Sequence, residues 1–434
     1  MIKILSGIVL VFFWSSNSFP QTSNVIFTSD IDNFWIAYDS IKTTDNADKK
    51  LAFIRNLYIE KGTKGLNAFM KARQYNDTLW VKLIDKYPKF WNSIRSNTLE
   101  VKEKTAEIQK AVNRFKTIYP QLKEAEMYFT IGGLRSGGTV TGNMVLVGCE
   151  IATGTAETDV SEFNDDWLKN VFSKQSLDNI VSLNIHEYVH TQQTGDRNRV
   201  LSQSIKEGAC DFITELVLES PMKTQYIIYG KEHFEQVKEQ FRKEMFLNDF
   251  SNWLYNGVQK GESADMGYFI GYEICKAYYN QSTDKNQAIR EIIELNYDND
   301  KEVEQFLEKS KFYSFPINKK QIIKEYKEKL PRIVKIEPFK NGSKKVNANL
   351  KELKIVFSKE MEEKALSISF SEKGKDFFPL SGVKGFENNS KTLVLNIELK
   401  SNKEYEFVIT DKNFKSKEGY KLSSEKYIVK FKTK

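Results

Sequence analysis

Ile185-His186-Glu187-Tyr188-Val189-His190 is the stretch that decides how this 434-residue chain is read. Residues four apart share one face of a helix, so His186 and His190 can present two imidazoles to a single cation, with Glu187 beside them. Ile180, Val181, Leu183, Ile185 and Val189 make the surrounding helix, predicted over 176–194, apolar enough to be buried. Buried imidazoles need partners, and two of the chain's three histidines fall in this one pattern. The bland alternative is a pair of surface histidines on a solvated helix. Zn2+ is the expected ion: a catalytic zinc takes three protein ligands and leaves one position open. It lowers the pKa of water to about 7, and a neighbouring carboxylate can accept the proton. Glu187 stands where that carboxylate is needed.

Three residues compete to be the third ligand. Glu207 lies on the next predicted helix, 203–219, in Glu207-Gly208-Ala209-Cys210-Asp211. Asp211 follows one turn later on the same face, where it can accept a hydrogen bond from a ligating imidazole and fix its tautomer. Gly208 and Ala209 are expected to let the two metal-site helices approach closely. Asp196 comes six residues after His190, but metzincin-like spacing wants Gly where Gln193 stands. His233 precedes Phe234 in a charged helix, where a solvated face is the simpler reading.

Around the motif the chain divides by texture. Residues 1–18 have the layout of a cleaved signal peptide: Lys3, an uncharged apolar run from Ile4 to Trp14, then Ser16-Asn17-Ser18. No cysteine follows the apolar run, so a lipoprotein anchor is not expected, and no later stretch is long and apolar enough to predict membrane insertion. From 25 to about 125 the pattern is helical, with Ile31, Phe34, Trp35 and Tyr38 on one face, Ser29 or Asp30 as cap, and a helix from Val101 to Tyr119 ended by Pro120. Met127 to Ile151 reads as two strands around the glycine-rich Gly132–Thr139 loop. That loop is a weak phosphate cradle, since no Gly-Lys-Ser/Thr and no helix follow it. Further helices are predicted at 231–246, 267–280, 284–296, 301–311 and 319–329. Cys149, Cys210 and Cys275 are too few for a disulfide scaffold and read as small buried hydrophobes.

From Arg332 onward, apolar residues alternate with polar ones: Leu353, Ile355, Phe357; Leu393, Leu395, Ile397; Tyr405, Phe407, Ile409; Tyr427, Val429, Phe431. Period two in short strands, split by Asn341-Gly342-Ser343 and Glu387-Asn388-Asn389-Ser390, predicts an antiparallel sandwich. Ile355-Val356-Phe357-Ser358-Lys359-Glu360-Met361 resembles bacterial Ig-like modules. Residues 332–434 carry 23 Lys/Arg against 14 Asp/Glu, so this segment alone holds the basic excess of a chain whose net charge is +7. A solvated strand face accounts for it; contact with an anionic envelope component is the sharper reading.

His-Glu-x-x-His followed by Glu-x-x-x-Asp resembles the gluzincin metallopeptidases, of which thermolysin is the familiar member. The resemblance implies His186, His190 and Glu207 as zinc ligands, Glu187 as general base, and Asp211 as the hydrogen-bond partner of a ligand. Over residues 25 to about 280 the chain also resembles a bacterial group of predicted zinc-dependent proteases. The Phe34-Trp35 helix, Gly137-Gly138-Thr139, the two zinc segments and Met266-Gly267-Tyr268-Phe269-Ile270-Gly271-Tyr272 carry that likeness. Tyr268 and Tyr272, flanked by glycines, are candidates to steady an oxyanion, although core packing is the commoner role for either. Asn143 to Gly148 is a candidate edge strand for a peptide substrate, and equally a plain buried strand.

The expectation is therefore an α+β chain. A signal peptide at 1–18 precedes a mainly helical zincin-like domain with a small sheet at 19–330, and an all-β Ig-like sandwich occupies 332–434. The expected product is an exported zinc metallopeptidase that acts on protein or peptide and has no nucleic-acid partner. Two rivals stand beside it: a hydrolase of non-peptide amides or esters, and a non-catalytic surface binding protein with a vestigial metal site.

Overall fold

The computed structural model describes residues 25–434 apart from 165, 197, 198 and 365, and apart from the side chains of 174, 258, 259 and 262. The expected leader at 1–18 lies outside the described residues. By compactness the chain forms two units: residues up to 237 with 248–314, and 238–247 with 315–434. The helix over 319–329, assigned from sequence to the first domain, thus groups with the second unit. No helix among the described residues is long and apolar enough to cross a membrane.

The first unit is mainly helical. Helix α1 (Ser29–Ile41) buries Ile31, Phe34, Trp35 and Tyr38, as its periodicity predicts. Its cap is Thr28, not Ser29 or Asp30. Asp30 instead lies buried in the first turn, where its carboxylate accepts hydrogen bonds from Thr63. Helix α2 (Pro88–Ile118) begins thirteen residues before the expected start and runs for 31 residues. Pro88 opens it, because proline at the first turn gives up only a donor that has no partner there anyway. The helix predicted over 231–246 is two, Gln225–Glu232 and Phe234–Glu244, with His233 at the break.

A small sheet has the order β1 (Ile26–Phe27), β2 (Glu126–Thr130), β4 (Met144–Gly148), β3 (Gly138–Thr141). It packs on α1 through β2 and on the metal-motif helix through β3 and β4. β1, β2 and β4 run parallel, and β3 pairs antiparallel with β4. The sequence expectation of two strands therefore needs a third, made from the end of the glycine-rich loop. Of the two readings of Asn143–Gly148, edge strand or buried strand, the second holds: β4 is interior, and β3 is an edge. The loop before β3 is organised from within. Buried Glu150 accepts hydrogen bonds from Gly132 N at 2.6 Å and Leu134 N at 3.0 Å. Burial pushes its pKa up to about 7 against the pull of these two donors. Two backbone N–H groups of the loop are thus already taken, which weakens the cradle reading further.

Three helices carry the rest of the unit's core: α3 (Ile180–His190), α4 (Val200–Leu218) and α5 (Met266–Gln281). α4 and α5 cross backbone against backbone. A Cβ added at Gly208 would come within 2.0 Å of Tyr272 N, and one at Gly271 within 1.7 Å of Ser204 O. Gly208 therefore admits α5, not the metal-motif helix as the sequence reading had it.

In the second unit, helix α6 (Lys319–Lys329) precedes seven strands. One sheet has the order β5 (Ile333–Glu337), β6 (Glu352–Phe357), β9 (Thr392–Ile397), β8 (Leu380–Glu387). The other has β11 (Lys426–Lys432), β10 (Glu404–Thr410), β7 (Ile368–Phe370). Leu353, Ile355, Phe357, Leu393, Leu395, Ile397, Tyr405, Phe407, Ile409, Val429 and Phe431 are all buried in one core, so the period-two pattern marks the inner faces of both sheets. Gly342 takes a φ of 86°, and Asn388, Asn389 and Ser390 all have positive φ. Both segments read as turns are turns.

Candidate metal centre

α3 delivers His186 and His190 from successive turns, their ring centroids 4.9 Å apart. α4 delivers Glu207 and Asp211. His186 Nε2 lies 3.4 Å from Glu207 Oε2, and His190 Nε2 lies 3.1 Å from the same oxygen. Both outer nitrogens are tied down. His186 Nδ1 is 2.8 Å from Asp211 Oδ1, and because a carboxylate only accepts, Nδ1 carries the hydrogen. His190 Nδ1 is 2.8 Å from Gln193 Oε1. The orientation of the Gln193 amide is set by its Nε2, which donates to Lys206 O at 2.9 Å and faces the Tyr297 hydroxyl at 3.5 Å. With both Nδ1 atoms so engaged, each imidazole would offer its Nε2 to a cation placed between it and Glu207.

This donor set fits one tetrahedral ion. With bonds of 2.0–2.1 Å, ligand atoms around zinc sit roughly 3.4 Å apart, close to the two spacings found here. The electrostatics run the same way. Burial works against a charged His186, yet Asp211 and Glu207 outweigh it and hold its pKa well above the usual value. Burial likewise opposes an ionised Glu207, but His190 and His186 keep its pKa well below the ordinary carboxylate value. Glu207 is nearly buried and ionised, a place that attracts positive charge.

A second donor set can be drawn from His186, His190 and Cys210, whose ligand atoms lie within 4.8 Å of one another. It fits less well. Cys210 Sγ is 3.3 Å from His190 Nδ1, the nitrogen already bonded to Gln193, and it also faces Lys206 O at 3.4 Å. Burial, reinforced by Glu207 and Asp211, pushes the thiol pKa well up. Glu207 Oε2, which faces both Nε2 atoms, and Cys210 Sγ are the two candidate third donors.

Glu187 points from α3 toward β3. Its Oε1 would lie 3.7 Å from a Cβ at Gly138, so the edge strand passes directly beside the proposed base. Among the described residues its carboxylate makes no hydrogen bond or ion pair, unlike those of Glu207 and Asp211. The tyrosines divide differently from the expectation. Tyr272 turns its hydroxyl to Glu215 Oε2 at 2.7 Å and accepts from Lys276 Nζ at 2.8 Å, away from the ligand set. The Tyr268 ring lies nearly parallel to that of His186, 6.2 Å between centroids. Two tyrosines that the sequence reading did not single out reach the centre. Tyr255 donates to Glu207 Oε1 at 2.6 Å although its side chain is largely exposed, and Tyr226 donates to Asp211 Oδ2 at 2.9 Å. Their signal in the sequence is faint, since both partners are distant along the chain. The two rival third ligands are elsewhere. Asp196 is bonded to Lys206 and Gln203, each at 3.1 Å, and the His233 ring packs on Tyr229, 4.3 Å between centroids.

Residues 16–247, more than half of the chain, match the family model described as gliding motility protein GldB. The chain belongs to the GldB family. Residues 327–433 match the bacterial Ig-like domain, in agreement with the sandwich. This family is one of lipoproteins, which places the GldB-like chain at the cell envelope; the first cysteine in its sequence is Cys149. Neither matched family is named for peptidase activity. No curated protein matches. Among solved structures, the crystal structure of the S-layer protein rSbsC(31-844) is 10% identical, with 64% of this chain and 42% of that one covered and a TM-score of 0.19. The structure of surface layer protein SbsC, domains 1-6, is 12% identical with the same coverage and a TM-score of 0.17. The chain thus spans less than half the length of either, and neither superposition carries a fold assignment.

Proposed function

We propose that this GldB-family chain is an exported cell-envelope protein that binds one zinc ion through His186, His190 and Glu207 and hydrolyses an amide or ester bond, peptide bonds among them. One observation carries the reading: two histidine Nε2 atoms converge on a single carboxylate oxygen at metal-ligand spacing while both Nδ1 atoms are tied to fixed acceptors. A zinc ion bound there supplies Lewis acidity for a carbonyl. Glu187, unpaired and next to the centre, takes the proton of the attacking water and returns it to the leaving group. β3 offers an edge on which an extended substrate lies beside Glu187. Tyr255, already donating into the ligand sphere, is better placed than Tyr272 to donate to a developing oxyanion.

A second reading has support of its own. The family is described by motility and not by hydrolysis, which favours a non-catalytic surface protein in which the metal only ties α3 to α4. The unpaired Glu187 favours the hydrolase, since a structural site has no use for it. Elemental analysis of wild type, Glu207→Ala and Glu187→Gln, with casein, model amides and esters assayed on the same samples, separates the two. The hydrolase reading expects about one zinc per wild-type chain, its loss in Glu207→Ala, and retained zinc with activity down by at least a hundredfold in Glu187→Gln. Zinc with no turnover of any substrate leaves the non-catalytic reading. No zinc in wild type ends both.

A further inference from the structure

The second unit contains a groove with a strongly uneven charge. Lys320, Lys324 and Lys327 follow one another at helical spacing on α6 and so form one stripe. Seven residues at 1.5 Å each make that stripe about 10 Å long. Arg332 and Lys359 stand with them around an open cavity of about 740 Å³, with Ile323, Leu330, Ser358 and Ser423 in its lining and Glu328 as the one acid. The walls are joined: Arg332 N donates to Ser358 Oγ at 3.0 Å, Ser423 N to Pro331 O at 2.8 Å, and the Tyr326 ring meets Tyr420.

Some lysines of this unit are matched with acids, as in Lys354–Glu387 and Lys384–Glu352, both 2.7 Å, and Lys417–Glu360, 3.2 Å; those of the stripe are not. Among the described residues the side chains of Lys320, Lys324, Lys327 and Arg332 make no ion pair or hydrogen bond, and Lys359 has only a 3.7 Å pair with Glu418. Like charges one turn apart repel, so this arrangement gains from an anion.

We propose that the groove binds a carboxylate-bearing polysaccharide of the cell envelope. A chain of acidic sugars runs along the lysine stripe, its carboxylates facing Lys320, Lys324 and Lys327 on one wall and Arg332 and Lys359 on the other. A two-turn stripe fits a polymer better than a single small anion. A flat lipid surface does not enter between two walls, and the lining has no aromatic ring on which nucleic-acid bases stack.

The test uses the full chain with polygalacturonate, neutral dextran, vesicles of phosphatidylglycerol in phosphatidylcholine, and single-stranded oligothymidylate. Wild type is expected to bind polygalacturonate at low salt, to weaken steeply as salt rises, and to ignore dextran. The triple variant Lys320→Gln, Lys324→Gln, Lys327→Gln is expected to bind at least tenfold more weakly with a shallower salt dependence. The same three positions changed to Arg are expected to retain binding. A control triple at exposed Lys344, Lys345 and Lys351, changed to Gln, is expected to stay within twofold of wild type. Failure to bind polygalacturonate, equal loss in the control triple, or tighter binding of vesicles or oligothymidylate would each overturn the assignment.

Discussion

At the scale of single residues the metal centre rests on who holds the imidazoles. Asp211 holds His186, a carboxylate-to-histidine bond that the spacing Glu207-x-x-x-Asp211 makes legible, because residues one turn apart on α4 meet residues one turn apart on α3. Gln193 holds His190, and nothing in its spacing announces this. It lies past the end of α3, and its orientation depends on Lys206 O and on Tyr297, a residue more than a hundred positions away. Tyr255 gives no local signal either, its partner Glu207 lying 48 residues away. Gln193→Leu removes the acceptor without adding charge, and is expected to weaken zinc binding by about 10–100-fold, read by competition with a chromogenic chelator. Gln193→Glu keeps an acceptor and is expected to bind at least as tightly as wild type. Equal loss in both variants would assign the effect to packing instead.

At the scale of elements, spacing within a helix was readable and partnership between helices was not. The apolar stripes on α1, α3 and α5 follow from their periodicity, and the alternation in β6, β9, β10 and β11 marks their inner faces. Which helix meets Gly208 does not follow from any local pattern. The sequence Glu207-Gly208 invites packing against α3, yet Gly208 meets α5 at Gly271 and Tyr272. The short strand β3 is hidden in a similar way, since Gly138-Thr139-Val140-Thr141 becomes a strand only because β4 offers its free edge. The crossing of α4 and α5 has no room for a methyl group. Gly271→Ala is expected to lower stability by about 2–3 kcal/mol, an overpacking cost in a backbone-to-backbone contact that cannot relax by changing a rotamer. Denaturant unfolding checks it, and a change below 0.5 kcal/mol, about the effect of an ordinary surface substitution, would mean the helices part readily.

At the scale of the whole molecule, two units with separate cores imply two responses. The metal-site residues all lie in the first unit, and the Ig-like core lies in the second. Zinc at a hundred times its dissociation constant is expected to add about 2.7 kcal/mol to the unit that binds it. Calorimetry with and without a chelator is therefore expected to shift one transition and leave the other in place. A shift of both together would show that the units unfold as one.

The division at 237 and 247 bears on biogenesis. Residues 238–247 belong with a unit whose other members begin at 315, while the first unit resumes at 248 and closes at 314. As the chain emerges from the ribosome or crosses a membrane in order, a ten-residue piece of the last module arrives before the first module is complete. It then waits through about seventy further residues, several seconds at ordinary elongation rates. A truncation ahead of α6 consequently strands that piece without the helix whose Lys319 packs over Phe246. Such a shortened chain is set up to become a client of chaperones and proteases, and its phenotype would reflect that fate as much as the loss of the C-terminal module.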